Sequence, residues 1–582
     1  MFGERRTDST QRNSPQVLCR SGPEANSHRI TRHFLRRPYG SIYYFGRDSP
    51  PSCATNSSST ESYAEWYRYK CEQIACAKTM QGGGKPGLAE EQQTSEAATV
   101  TPDLIRSPGL SQSLHVRDLV ALSVSSVGPL FSIAATGGVM AANAGLWTLP
   151  AIGVISIPFI IAAFVFRLLN RHFPHAGASY HWSARVLGRR ASRFQAWVLI
   201  LAYFSSIPPI IIPAATYTLN LLFPNYHPSS LAEIGVSIFW AGFAMVPLLR
   251  GARPTAKLTQ IFLGIELISV AVIITIALLR WHAISVPIHF GKPPIAGMII
   301  TAVVAATILD GWEIDSYASE EAQRPKSDPG MGGIIGAFMA LGFYALIYPL
   351  MFGETPLHLL AGAANPMAIW GQRLVPGAPW LLLIPVLAST AGGLWLTSFI
   401  LIRALFAMGR EGLVPRKLSG VNKHGTPGYA TVVTITAALI VTTLQSLFTS
   451  LASFFSLVLA TAGFFLVLEF FLDSFTATVF LRRVHKILEP LEDSTVHRHR
   501  PLLALSALSS ALFFAFMVGF LIFGPRVIGR SIDYVIAALL AMGLIFSRIS
   551  RDRHNVYQFH GQDVSTEPVR EVSSSSVTGK PN

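Results

Sequence analysis

The sequence predicts an all-α integral membrane protein of about twelve transmembrane helices. Three observations carry that reading. Half of the 582 residues are hydrophobic and only 13% are charged, about half the charge of a typical soluble domain. Mean hydropathy is +0.42. Apolar runs near the 20-residue length of a membrane crossing recur from residue 116 onward. A single soluble globule and a disordered chain are excluded. So is a disulfide scaffold, because the four cysteines (Cys19, Cys53, Cys71, Cys76) all precede the apolar bulk. Net charge is +14, yet Lys and Arg sit in the tails and between apolar runs. That arrangement fits basic loops of a bilayer protein and argues against nucleic acid as a partner.

The expected spans are 118–141, 144–167, 193–222, 230–249, 257–279, 296–318, 331–353, 380–402, 428–446, 451–475, 502–524 and 529–548. Pro208, Pro209 and Pro213 predict a kink in span 3. Twelve spans put both termini on one side. The loops after even-numbered spans hold 21 Lys and Arg, whereas those after odd-numbered spans hold 5. Both termini are therefore expected in the cytoplasm, with the plasma membrane as the default location. Residues 1–115 read as a disordered cytoplasmic tail, with a basic, aromatic stretch at 28–45 and a second methionine, Met80, that opens a less basic stretch. Residues 549–582 read as a polar cytoplasmic tail.

Spans 1 and 6 carry helix breakers near their middles. In span 1, Gly128 precedes Pro129, which suits the first turn of a new half-helix. The free N–H groups of such a half-helix favour a carboxylate. In span 6, Asp310 and Gly311 stand next to Trp312 and Glu313, and unwound carbonyls there suit an ammonium group. The two breaks lie 183 residues and five spans apart. Matched breaks are the signature of an inverted-repeat transporter, which divides the chain into repeats at 116–279 and 296–475 and two accessory spans at 502–548. Acids within the spans are costly and mark function. They are Glu266 in span 5, Asp310, Glu313 and Asp315 in span 6, and Glu469 and Asp473 in span 10. Glu266 and Glu313 are the proton-coupling candidates. Asp315 is expected to cap or pair near the inner end, and Asp473 to lie close to the interface.

Three stretches resemble amino acid permeases of the amino acid–polyamine–organocation (APC) superfamily: FPHAGASYHWSARVLG (173–188), DGWEIDSYASEEAQRPKSDPG (310–330) and IRALFAMGREGLVPRKLSGVNKHGTPGYA (402–430). The resemblance implies a leucine-transporter-type fold of two inverted five-helix repeats plus two extra helices. It implies a substrate held near the midplane between spans 1, 3, 6, 8 and 10, with alternating access. On this resemblance Ser125, Ser126, Gly128, Pro129 and Leu130 take the substrate carboxylate, and the carbonyls of Ile308, Asp310, Gly311 and Trp312 take the amino group; the Asp310 side chain stands where many members are apolar and suits a cationic substrate side chain. Glu313 falls on the family's acidic position linked with gating and proton coupling.

The leading reading is therefore a symporter for an amino acid, coupled to protons. Sodium stays open, because Ser389-Thr390 or Thr397-Ser398 in span 8 supply hydroxyls for a cation. A polyamine or organic amine carrier and an amino-acid sensor that keeps the fold are the alternatives. An enzyme is not expected. No phosphate-cradling Gly-Lys-Ser/Thr loop is present, no cofactor or metal motif is recognised, and His172, His175, His181, His282 and His289 have no ligand-like spacing.

Overall fold

In the computed structural model the described residues are 110–223, 229–363, 365–378, 380–445, 451–487 and 496–550. The stretch at 28–45, Met80, all four cysteines and the C-terminal tail beyond residue 550 lie outside them. Among the described residues, nine helical stretches are long and apolar enough to cross a bilayer. The first, Val116–His172, holds two crossings, and two shorter apolar helices, Ile295–Leu309 and Gly428–Leu444, supply two more. The count is twelve, and every expected span has its helix.

Span 1 is Val116–Val127 and Pro129–Ala144, and span 2 is Thr148–His172. Span 3 is Arg189–Ser206 and Pro208–Leu222, interrupted at the expected prolines. Spans 4 and 5 are Ser230–Arg250 and Ala252–Ile284. Span 6 is Ile295–Leu309 followed by the single turn Ile314–Tyr317. Spans 7 to 12 are Met331–Glu354, Trp380–Glu411, Gly428–Gln445, Leu451–Ile487, Val496–Val527 and Ser531–Ile549. No strand is formed among the described residues. Their sheet-like pairing is one bridge, Leu114 with Ala322. Residues 110–115, assigned to the tail from composition, are packed: Leu110 and Leu114 are buried, and the N–H groups of Ser113 and Leu114 donate to the Glu321 carbonyl.

The packing repeats after five spans. The first half of span 1, Val116–Val127, packs on span 7, and span 6 packs on span 2. Span 1 packs on span 5, and span 6 on span 10. Span 3 packs on span 10, and span 8 on span 5. Each pair maps onto the other when the two five-span sets are exchanged. An odd number of crossings forces the second set to run opposite to the first, so the repeat is inverted. Spans 11 and 12 lie outside this relation. Span 11 packs on spans 2, 6 and 10, and span 12 chiefly on span 3. Span 8 stands at the centre, its most apolar stretch wholly buried.

Candidate functional site between the two helix breaks

Span 1 breaks where the sequence places it. Gly128 adopts φ 51°, ψ 61°, a left-handed conformation that glycine reaches without steric cost. Pro129 opens the outer half-helix, whose next N–H groups have no intrahelical acceptor. The protein fills them itself. Leu130 N–H donates to Glu266 Oε1 at 3.3 Å, and Phe131 N–H donates to Ser389 Oγ at 3.1 Å. The Ser389 hydroxyl donates in turn to Glu266 Oε1 at 2.5 Å. A carboxylate does occupy this end, as the dipole argument requires, but it belongs to span 5. Of the two serines expected to bind substrate, Ser126 lines the cavity described below, as does Ser132. The buried Ser126 hydroxyl has no hydrogen-bond partner among the described residues. Ser125 is buried behind Gly392, where an added Cβ would stand 3.0 Å from its Oγ.

Span 6 breaks by the same logic. Leu309 ends the outer part, Asp310 is extended, and Gly311 takes φ 97°. Both oxygens of Glu313 accept the Gly311 N–H at 2.9 Å, and Tyr203 of span 3 donates to Glu313 Oε1 at 2.8 Å. Each break is thus held by one buried carboxylate. The two breaks touch. A Cβ on Gly311 would fall 2.8 Å from Ser126 Oγ and 2.9 Å from the Ser126 carbonyl oxygen. Of the expected amine-binding residues, Ile308 lines the cavity described below and Trp312 does not. The Ile308 carbonyl accepts the Tyr344 hydroxyl at 2.7 Å. The Trp312 ring packs on Phe166 and Phe470 at 5.3 and 5.5 Å and is absent from the cavity wall.

A cavity opens beside the breaks. Its wall is drawn from spans 1, 3, 6, 8 and 10, including Phe131 and Thr136, Ser206 and Ile210, Asp310, Thr397, and Leu459. These are the five spans that the family resemblance implied. Asp310 is the one ionisable side chain in the wall, and it forms no ion pair among the described residues. The remaining wall combines hydroxyls with apolar groups. Thr390 and Ser398 donate to the carbonyls of Val386 and Leu394 in their own helix.

On the loop side of the breaks the three family-like stretches converge. Ala176 N–H donates to Glu320 Oε1 at 3.0 Å, Arg410 to the same oxygen at 2.6 Å, and Arg403 pairs with Glu321 at 3.1 Å, both fully buried. Burial works to raise the Glu320 pKa, but the hydrogen bonds and charge of Arg410 outweigh it, so Glu320 sits below its usual value. Asp315 caps span 7, accepting from Gly330 and Gly333 N–H at 2.6 and 2.9 Å. Asp473, expected near the interface, is fully buried. It accepts from Ser179 and Gln195.

The histidine reading needs correction. His175 and His181 stack with centroids 3.9 Å apart, and both approach Glu411, at 3.3 and 3.6 Å. The turn at 174–177 folds His175 back over the next helix, which residue spacing does not reveal. These three side chains have ligand-like proximity. However, Arg410 Nη2 stands 2.7 Å from His175 Nε2, so a guanidinium already occupies the cation's place and the residues do not fit a metal. Burial first, then His181 and two arginines, push the His175 pKa well below 6.5. The folded state therefore resists protonation that the unfolded chain accepts, and stability falls as pH drops through 6.5. The thermal midpoint is expected to fall between pH 7.5 and 5.5, and His175→Asn, which keeps an acceptor for Gly177 N–H, should lessen that fall.

The residues that sequence reasoning missed are Tyr203, Tyr344 and the Ser389 bridge. Tyrosines in apolar spans read as packing, and helix facing alone does not show which hydroxyl meets an acid.

Known proteins similar to this chain are permeases and transporters. The family described as amino acid permease matches residues 114–546. The branched-chain amino acid permease BcaP of Bacillus subtilis (strain 168) is 24% identical over 350 residues, 55% of this chain and 72% of that protein. The L-lysine transport protein of Corynebacterium glutamicum is 27% identical over 346 residues, 56% of this chain and 66% of that protein. A solved structure of Mhp1, a nucleobase-cation-symport-1 family transporter, aligns with TM-score 0.46 and 15% identity over 78% of this chain and 97% of that one. With the family pattern covering all twelve spans, the chain belongs to the amino acid permease family of the APC superfamily, a multi-pass membrane protein of the secondary-transporter class.

Proposed function

We propose that this protein moves an α-amino acid across the membrane by alternating access in symport with protons. The observation that carries the reading is Glu266 on the Leu130 N–H. A substrate carboxylate suits the same half-helix end, so substrate and ionised Glu266 compete for it. Protonated Glu266 is a weaker acceptor and gives way, which ties substrate entry to proton uptake. The substrate amino group then lies against Asp310, assisted by Ser126 and carbonyls of the span 6 break. The apolar wall at Phe131, Ile210 and Leu459 takes the side chain. Glu313 titrates as the second coupling group and loosens its hold on Gly311 N–H when protonated.

The loop charges support cytoplasmic termini, and the plasma membrane is the default location. The packing symmetry supports a division into repeats at 116–279 and 296–475 with accessory spans at 502–548. One observation favours a second reading, an organic amine carrier: the cavity wall holds one acid and no basic side chain. Competition against labelled amino acid uptake in proteoliposomes separates the two. Neutral α-amino acids should compete and putrescine should not. Competition by putrescine alone would replace the amino acid reading with the amine reading.

A further inference from the structure

We infer that the buried acids of span 10, Glu469 and Asp473, form with Tyr203, Tyr317 and Ser179 a proton path from the span 6 break to the loop between spans 2 and 3. This inference rests on the proton-coupled reading above and adds the route by which the proton leaves.

Hydrogen bonds trace the path at every step but one. Glu313, which holds the break, accepts from Tyr203 at 2.8 Å. The Tyr203 ring meets the Tyr317 ring edge-on, centroids 5.8 Å apart. Tyr317 donates to Glu469 Oε1 at 2.8 Å, and its hydroxyl lies 2.9 Å from Ser179 Oγ. Ser179 donates to Asp473 Oδ2 at 2.8 Å, and Gln195 donates to Asp473 Oδ1 at 2.7 Å. Ser179 sits at the start of Ala178–Val186, the short helix of the loop that follows span 2. All of these side chains are fully buried.

Two features separate this chain from an ordinary structural network. Glu313, Glu469 and Asp473 form no ion pair with a basic residue among the described residues. Three neighbouring buried carboxylates without a cation are not sustained in a low dielectric, so protons must reside among them. Glu469 Oε2 is also buried with no hydrogen-bond partner among the described residues. That oxygen leaves Glu469 a position on which a proton can reside. Glu469 and Asp473 are four residues apart on one helix face, about 6 Å along the axis, which steps the carboxyls down the span. The transfer moves one proton from the Glu313 carboxyl to the Glu469 carboxylate and then to Asp473. The tyrosine and serine hydroxyls each accept one proton and release another, and no other bond changes. The step from Tyr203 to Tyr317 has no hydrogen bond in this structure, and it is the step that a change of conformation closes.

The full chain in proteoliposomes loaded with a pH-sensitive dye tests this. The wild-type protein should show amino-acid-induced internal acidification and uptake driven by an imposed proton gradient. Asp473→Asn and Glu469→Gln, both close in shape to the native side chains, should each reduce acidification and gradient-driven uptake at least tenfold. Counterflow at equal pH should stay within threefold, which also reports that the variants fold. Asp473→Glu should restore most of the proton flux, and Ser179→Ala should lower it without loss of counterflow. Wild-type proton flux per substrate in both acid variants would overturn the path while leaving proton coupling intact. Absence of acidification in the wild-type protein would overturn the coupled reading and the path with it. Loss of counterflow in both acid variants, with Ser179→Ala matching wild type in acidification, would reduce the network to a structural one and overturn the path.

Discussion

Gly311→Ala should abolish uptake, with a loss of at least 100-fold. Two costs combine. The residue sits at φ 97°, where a side chain costs about 1–2 kcal/mol. The added Cβ would also stand 2.8, 2.9 and 3.0 Å from Ser126 Oγ, the Ser126 carbonyl oxygen and the Ser126 carbonyl carbon. Two of those atoms are backbone, so no rotamer change relieves the overlap. The breaks are forced apart at their point of contact, and the Gly311 N–H is drawn from Glu313. Gly153→Ala is the control. An added Cβ there meets no atom within 4 Å, and uptake should be unchanged. Equal uptake by Gly311→Ala and wild type would show that the two breaks do not work as one site.

The second large effect is expected at Glu266. In the wild-type protein the apparent KM for substrate should rise at least tenfold between pH 5.5 and 8, because the ionised carboxylate holds the Leu130 N–H that the substrate needs. Glu266→Gln stays neutral at every pH. Its KM should be flat across that range, and its gradient-driven accumulation should fall at least tenfold. Exchange at equal pH should persist at a reduced rate. A Glu266→Gln protein with the wild-type pH profile and wild-type accumulation would remove Glu266 from coupling. Glu313→Gln is expected to impair accumulation as well.

Most of the architecture is legible in the sequence, because a bilayer turns fold into length and hydropathy. Every span and both breaks follow from apolar run length and from Gly128-Pro129 and Asp310-Gly311. The kink at Pro208 follows from proline geometry. The acids were legible as candidate positions because charge within a span is expensive. Their partners were not. That Glu266 would reach Leu130 depends on which way span 5 is rotated, and a strongly apolar helix has little amphipathic signal to set that rotation. The same holds for Trp312, whose place in an aromatic cluster with Phe166 and Phe470 is a packing outcome. The stacking of His175 on His181 depends on one tight turn at 174–177. Asp473 is expected close to the interface by its place late in span 10, but its partners Ser179 and Gln195 come from the 173–188 loop and span 3, which spacing along the chain does not show.

The central claim is that a site between the two helix breaks binds an amino acid and a proton together. Concentrative uptake of a labelled amino acid into proteoliposomes, with and without an imposed pH gradient, measures this most directly. The account predicts accumulation that requires the pH gradient, collapses on addition of a protonophore and does not require sodium. Accumulation driven by sodium alone, unaffected by the pH gradient and unchanged in Glu266→Gln, would contradict it.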